Sequence, residues 1–189
     1  MERIIVFTML LNSFISFNAF AQEKYGKTLN LGLGIGGSVG YYSYVHKSLP
    51  VININYEFDI VKNLTIAPFI SITTYTNNYF WGNANNPGRY YTFRETIIPI
   101  GAKGAYYFDD LLKANKHWDF YLAGSLGIVF ANQNWDNNYN GDKKYFPRGN
   151  DWFLDVHVGT EYHFNNKIGA FLDLSTGVST LGLAIHGLK

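Results

Sequence analysis

The chain has 189 residues, 47% of them hydrophobic and only 15% charged, with 19 glycines, 18% aromatics and no cysteine. That length suits one domain, and the missing cysteines exclude a disulfide framework, a thiolate metal site and a lipid-modified N-terminal cysteine. Fifteen basic residues against fourteen acidic ones give a formal charge of +1, so no global field draws the chain to nucleic acid, and the apolar content excludes intrinsic disorder.

Met1 to Ala21 has the build of a secretory signal peptide. Arg3 supplies a small basic region, Ile4 to Leu11 an apolar one, and Ala19-Phe20-Ala21 the small-x-small pattern at which cleavage is expected after Ala21. Asn12, Ser13, Ser16 and Asn18 interrupt the apolar run, well short of the roughly 20 residues a spanning helix needs. The division expected is therefore a signal peptide over 1–21 and one domain over 22–189.

From there on the chain alternates with period two, the signature of strands. In Ile52-Asn53-Ile54-Asn55-Tyr56-Glu57-Phe58-Asp59-Ile60 every even position is apolar and every odd one polar. Similar runs cover about 29–38, 51–60, 64–75, 91–108, 118–130, 152–164, 168–175 and 178–188, which makes eight strands. Pro68 and Pro99 fall inside two of them, where a missing N–H predicts a bulge or a locally broken ladder. Between 109 and 116 one helical turn is expected.

The apolar face carries residues such as Leu31, Leu33, Ile54, Leu122, Leu154 and Leu183 and no charge within its bands; the other carries Asn30, Asn55, Glu57, Glu95, Lys103, Asp119, Asp155, His157, Glu161, His163, Asp173 and His186. A soluble barrel or sandwich would turn the apolar face inward. Three features favour the reverse. An eight-stranded barrel is only wide enough inside for side chains to fill it, and glycine, serine and a few long polar groups fit better than the bulky apolar set. Aromatic pairs Tyr56/Phe58, Tyr106/Phe108, Trp118/Phe120 and Tyr162/Phe164 collect at one rim, as in a membrane-interface belt. Tight turns at 61–63 and 165–167 alternate with long connections near 39–50, 76–90 and 131–151, the asymmetry of transmembrane barrels. The fold expected is an all-β, eight-stranded antiparallel up-and-down transmembrane β-barrel.

With its leader, its segments Ile97-Ile98-Pro99-Ile100-Gly101-Ala102-Lys103 and Trp118-Asp119-Phe120-Tyr121-Leu122-Ala123-Gly124, and its final Leu181-Gly182-Leu183-Ala184-Ile185, the chain resembles the small eight-stranded outer-membrane β-barrel family. The likeness is to the OmpA transmembrane-domain and OmpX type, and within it to the outer membrane protein beta-barrel domain proteins. It covers about residues 25–189. It implies residence in the outer membrane of a Gram-negative bacterium and contacts with outer-membrane lipid and lipopolysaccharide. The barrel-assembly machinery would act during biogenesis. Many relatives end on an aromatic residue, whereas this chain ends Gly187-Leu188-Lys189. No peptidoglycan-binding domain is expected after the last strand.

The polar face supplies the first candidate site. Glu57, Glu95, Lys103, Asp155, His157, Glu161, His163 and Asp173 are expected to form a structural polar network filling the lumen, because every buried polar group needs a partner. Lys103 is the strong cation expected mid-lumen, with Glu57 or Glu161 as its partner. His and carboxylate two apart on one strand could ligate a metal, but the satisfied network is the simpler reading, and no metal or cofactor is expected. Asp136-Asn137-Asn138-Tyr139-Asn140-Gly141 opens like a calcium loop, yet its twelfth position is Pro147, so an Asn-rich turn is the plainer account. Tyr75, Tyr91 and others are expected among aromatics exposed in outer loops, with Trp81, Trp135 and Tyr139 the candidates for binding an extracellular ligand. Catalysis finds no motif: His46 near Ser43 and Ser48 is unframed, and no enzyme activity is expected. The glycines of Gly32-Leu33-Gly34-Ile35-Gly36-Gly37 precede no helix and serve packing.

The function expected is therefore a non-enzymatic, monomeric outer-membrane barrel with a filled lumen, acting structurally or through its outer loops. The rival readings are a narrow channel or small-ligand barrel, and then a soluble periplasmic lipocalin-like binder. No nucleic-acid partner is expected.

Overall fold

Period-two alternation is realised as strands throughout the computed structural model, which describes residues 25–36, 47–48, 50–80, 90–135, 137 and 151–187. In chain order these are β1 Thr28–Gly36, β2 Lys47–Ser48, β3 Val51–Val61, β4 Leu64–Phe80, β5 Tyr90–Tyr107, β6 Trp118–Trp135, β7 Asp151–His163, β8 Ile168–Ser175 and β9 Val178–His186. Neighbours run β2-β4-β3-β1-β9-β8-β7-β6-β5, and β5 pairs again with β4, so the eight long strands close into an antiparallel barrel. Closure leaves none of them with a free edge.

The two-residue β2 is an outward continuation of β3. It pairs with β4 at Lys47↔Thr76 and Ser48↔Tyr75, and Pro50, with no N–H to offer the ladder, stands before β3 begins. Strands β4, β5 and β6 are the long ones, with 17, 18 and 18 residues. Strand β4 runs past its expected end at 75 and β6 past 130, the alternation continuing with Thr76, Asn132 and Asn134 outward instead of apolar residues, whereas β5 begins at 90 against an expected 91. The expected segment 1–21 lies outside the described residues.

Each internal proline opens one ladder while keeping the register. The β3–β4 pairing skips from Asn55↔Phe69 to Phe58↔Ile66 around Pro68, whereas Pro68 stays opposite Ala102 on the β5 side. The β4–β5 pairing likewise skips from Ile70↔Ile100 to Thr73↔Ile97 around Pro99, whereas Pro99 stays opposite Val129. Of the two outcomes expected there, the broken ladder is found and the bulge is not, since a strand residue's N–H serves only one neighbour. The register shift recorded along β3–β4 lies instead between Asp59 and Val61, beside the tight turn closed by Asn63 at φ 62. Asn tolerates that left-handed conformation better than most residues. The expected helical turn is α1, Asp109–Leu112, which ends at Lys113 with φ 50.

The two faces separate as the alternation implies. Leu31, Leu33, Ile54, Leu122, Leu154 and Leu183 are exposed on the outside of the barrel, and Glu57, Glu95, Lys103, Asp155, Glu161 and Asp173 are buried inside it. On the outside, near the tight turns, the aromatic residues meet in a pair and in a run of five rings. Tyr56 meets Phe58 edge-on at 4.7 Å, Phe108 stacks with Phe120, and Trp118 joins Phe120 to Tyr162, which meets Phe164.

The interior departs from expectation in its aromatic content. Tyr25, Tyr107 and Tyr121 pack with Ala105 and Ala123 toward the tight-turn end, Tyr25 stacking on Tyr107 at 3.9 Å. Tyr75, Ile97, Val129 and Phe153 pack with Phe69 toward the long-loop end. Glycine is what makes room for these rings. A Cβ at Gly159 would run into the Tyr121 ring, and one at Gly127 would meet both Phe153 and the backbone of Gly101. Gly32 and Gly182, opposite each other on β1 and β9, make the same space for Phe171. Bulk on the inner face is thus offset by its absence on a neighbouring strand.

Candidate functional site

The inward polar residues gather into separate clusters, each tied to different strands. The first is centred on Glu57 of β3, whose carboxylate accepts from the Thr65 and Tyr107 hydroxyls, the latter at 2.7 Å, and from Asn30 Nδ2 at 3.3 Å. Asn30 also donates to Asn55, Asn55 to Asn53, and Asn53 to Ser71 at 2.6 Å, so one chain of hydrogen bonds climbs from β1 through β3 to β4. A buried carboxylate with several donors needs no counter-ion in contact to remain satisfied.

The second cluster is centred on Asp173 of β8. Lys103 Nζ lies 3.1 Å from its Oδ2, the Tyr121 hydroxyl donates to the same oxygen at 2.8 Å, and His157 Nδ1 lies 2.7 Å from Oδ1. His157 Nε2 reaches Ser125 Oγ at 2.9 Å, and Lys103 sits 5.0 Å over the Tyr121 ring. The partner of Lys103 is therefore Asp173, not Glu57 or Glu161. Strand β8 faces β5 across the lumen, and a partner across the axis is set by how the barrel closes and not by the register of adjacent strands.

The third cluster lies at the tight-turn end. His186 Nε2 is 2.6 Å and His163 Nδ1 3.7 Å from Glu161 Oε1, while His163 Nε2 is 2.7 Å from Asp119 Oδ2. Glu161 and His186 belong to β7 and β9, with β8 between them. They meet because the inward residue of β8 at that level is Gly169, where a Cβ would run into the Glu161 carboxylate. Nearby, the Tyr25 hydroxyl donates to Asp109 at 2.8 Å, closing the end of the barrel.

Two further expected members have hydrogen-bond partners of their own. Glu95, buried in β5, accepts from Gln133 at 3.0 Å. Asp155, buried in β7, takes a long hydrogen bond of 3.4 Å from Thr176 in the β8–β9 turn and lies against Gly177. The eight residues are all inward, distributed over these centres.

Sequence reasoning missed the tyrosines that complete these clusters, and it assigned Trp135, Tyr75 and Tyr91 to exposed loops. All three lie on the long strands, pointing inward and buried: Trp135 stacks on Phe93 at 4.9 Å, and the Tyr75 hydroxyl donates to the Gly36 carbonyl at 3.0 Å. Parity was the available signal, since Tyr107, Tyr121 and Trp135 share odd positions with Lys103 and Ser125. Trp81, Tyr139, His46 and most of the segment 136–142 lie outside the described residues.

Between the clusters a cavity of ≈ 40 Å³ is lined by Asn53, Asn55, Ser71, Lys103, Asp155 and Asp173 among others. A water needs roughly 10–15 Å³, so the space suits a few waters and no larger solute.

No family model matches the chain, and no curated protein does. Among solved structures it is similar to the crystal structure of Ail, the attachment invasion locus protein of Yersinia pestis, in complex with the heparin analogue sucrose octasulfate. The identity is 10% over 84% of this chain and 94% of that one, with a TM-score of 0.46. It is also similar to the backbone structure of the Yersinia pestis outer membrane protein Ail in a phospholipid bilayer nanodisc, at 11% identity over 84% of this chain and 98% of that one, with a TM-score of 0.41.

Proposed function

We propose that the chain is an exported outer-membrane barrel of a Gram-negative bacterium, non-enzymatic and monomeric, whose role is structural or is carried by its long loops at the cell surface. The observation that carries this reading is the inverted barrel: Leu33, Leu154 and Leu181 are 59%, 67% and 62% exposed, whereas Glu57, Lys103 and Asp173 are 3%, 9% and 3% exposed. A water-soluble protein rarely leaves an apolar patch of more than a few hundred Å² open. Here the whole circumference is apolar.

The height of the apolar band fits a bilayer. On β6 the outward residues are apolar or glycine from Phe120 to Phe130, and Asn132 and Asn134 follow. Ten residues at about 3.3 Å each, tilted by about 40°, span roughly 25 Å, the height of the apolar band of outer-membrane barrels. The aromatic run near the tight turns marks one interface. The polar outward residues of β4, β5 and β6 mark strand that stands clear of lipid on the other side. The filled interior supports a closed barrel over a channel, and the one hydroxyl set beside an Asp-backed imidazole among the described residues, Ser125 at 2.9 Å from His157, is buried beside a cavity of ≈ 40 Å³ that suits only a few waters.

Asn137 lies in the long connection after β6. In an otherwise cysteine-free chain, the variant Asn137→Cys is expected to react with a membrane-impermeant maleimide on intact cells, with the label recovered in the outer-membrane fraction. Label appearing only after osmotic shock, in soluble protein, would instead establish a periplasmic binder.

A further inference from the structure

We propose that Glu161, His163 and His186 bind a divalent transition-metal ion of the zinc class at the tight-turn end of the barrel. One ligand atom from each lies within 4.8 Å of the others. The outer hydrogen bonds of both imidazoles are what distinguish this cluster from an ordinary buried ion pair.

The Thr28 hydroxyl gives its single proton to the Tyr25 carbonyl at 2.8 Å, so toward His186 Nδ1, 2.9 Å away, it acts as acceptor. His186 therefore carries a proton on Nδ1, and in the neutral ring Nε2 holds the lone pair. His163 is arranged in mirror fashion. Its Nε2 donates to Asp119 Oδ2 at 2.7 Å, which leaves the lone pair on Nδ1. Toward Glu161 Oε1 the remaining ring nitrogens, His186 Nε2 at 2.6 Å and His163 Nδ1 at 3.7 Å, need a proton between nitrogen and carboxylate or a metal ion in its place. A divalent ion that displaced that proton would find two imidazole nitrogens and a carboxylate oxygen already converging.

Carboxylate or hydroxyl acceptors behind ligating imidazoles are the outer-shell pattern that fixes tautomer and ring orientation at zinc sites. Two imidazole nitrogens and one carboxylate oxygen are a zinc-type donor set, with a fourth position left for water. In a tetrahedral site with ligands at about 2.0–2.1 Å, neighbouring donor atoms sit about 3.3 Å apart. Entry of the ion thus needs Glu161 and His186 to separate slightly from their contact at 2.6 Å and His163 to close in from 3.7 Å. Gly169, with no Cβ, is what lets the Glu161 carboxylate reach this position. The side chains of His163 and His186 are 20% and 15% exposed, so the cluster opens toward the rim.

The test is titration of the full mature chain, refolded in detergent and free of any affinity tag, with Zn²⁺ by calorimetry and with Co²⁺ by visible absorption. The expected result is one equivalent per chain and a tetrahedral Co²⁺ spectrum. His186→Ala and His163→Ala should each weaken binding at least 100-fold, and Asp119→Asn, which leaves every ligand in place, by about 10–100-fold. His117→Ala, removing an exposed imidazole at the same end, should change nothing. If the alanine variants do not fold, the stoichiometry and Co²⁺ spectrum of the unaltered chain decide the matter. Absence of metal uptake by the unaltered chain overturns the proposal and leaves an imidazolium–carboxylate cluster. Uptake that survives loss of His163 and His186 but disappears with His117 overturns it too.

Discussion

Lys103→Met is expected to lower the unfolding free energy by about 3 kcal/mol, whereas Lys113→Met should stay within about 0.5 kcal/mol of the parent. Both substitutions remove one lysine charge, and only position differs. Lys103 is 9% exposed and lies 3.1 Å from Asp173 inside the barrel, whereas Lys113 is exposed after α1. Removing one partner of a buried pair leaves the other charge to bear its desolvation alone, and that loss exceeds the net worth of the pair. Asp173 keeps His157 and Tyr121 as partners, which holds the effect at the lower end of the usual range. The double variant Lys103→Met with Asp173→Asn should recover part of the loss, because no uncompensated charge remains. Equilibrium urea unfolding from lipid vesicles measures all of these. Equal midpoints for the two single variants would show that the interior does not depend on the pair.

Leu126→Arg is expected to cost about 2–4 kcal/mol in the same measurement. Leu126 is 52% exposed on the outer face of β6, between Phe120 and Phe130. In water, an exposed leucine exchanged for arginine shifts stability by no more than about 0.5 kcal/mol. A guanidinium held at the midplane of a bilayer must lose hydration or draw water into the hydrocarbon. The control is Asn134→Arg, on the same face of the same strand but beyond the apolar band, which should be neutral. Equal small effects at both positions would mean that the apolar band meets solvent and not lipid.

How much of this was legible beforehand depends on which interactions are local. Facing follows from parity alone: Ile52 and Ile54 point outward and Asn53 and Asn55 inward, as alternation implies. The ends of β4 and β6 were legible only where the outward residues are apolar, whereas β5 read as strand from 91 despite the outward Thr92, Arg94 and Thr96. Past 75 and 130 the outward positions become Thr and Asn, so β4 and β6 read as loop although their pairing continues to Phe80 and Trp135. That misplacement carried Trp135 into an exposed loop, whereas Tyr75 and Tyr91, at the ends of expected strands, were read as exposed although their parity turns them inward. The contacts that build the clusters were not legible at all. Lys103 with Asp173 crosses the lumen, and Glu161 with His186 bridges a whole strand at Gly169. Both depend on the stagger and tilt with which the barrel closes, which no single strand's pattern encodes.

Orientation of the two faces is the claim on which the rest stands, and a single spin label tests it. Leu154 lies on the outer face of β7 and is 67% exposed, and the chain has no cysteine to confuse the labelling. With a nitroxide on Leu154→Cys in lipid vesicles, collision broadening by dissolved oxygen should far exceed that by a water-soluble nickel chelate. A label that the nickel chelate reaches more readily than oxygen does would place Leu154 in water and contradict the inverted barrel.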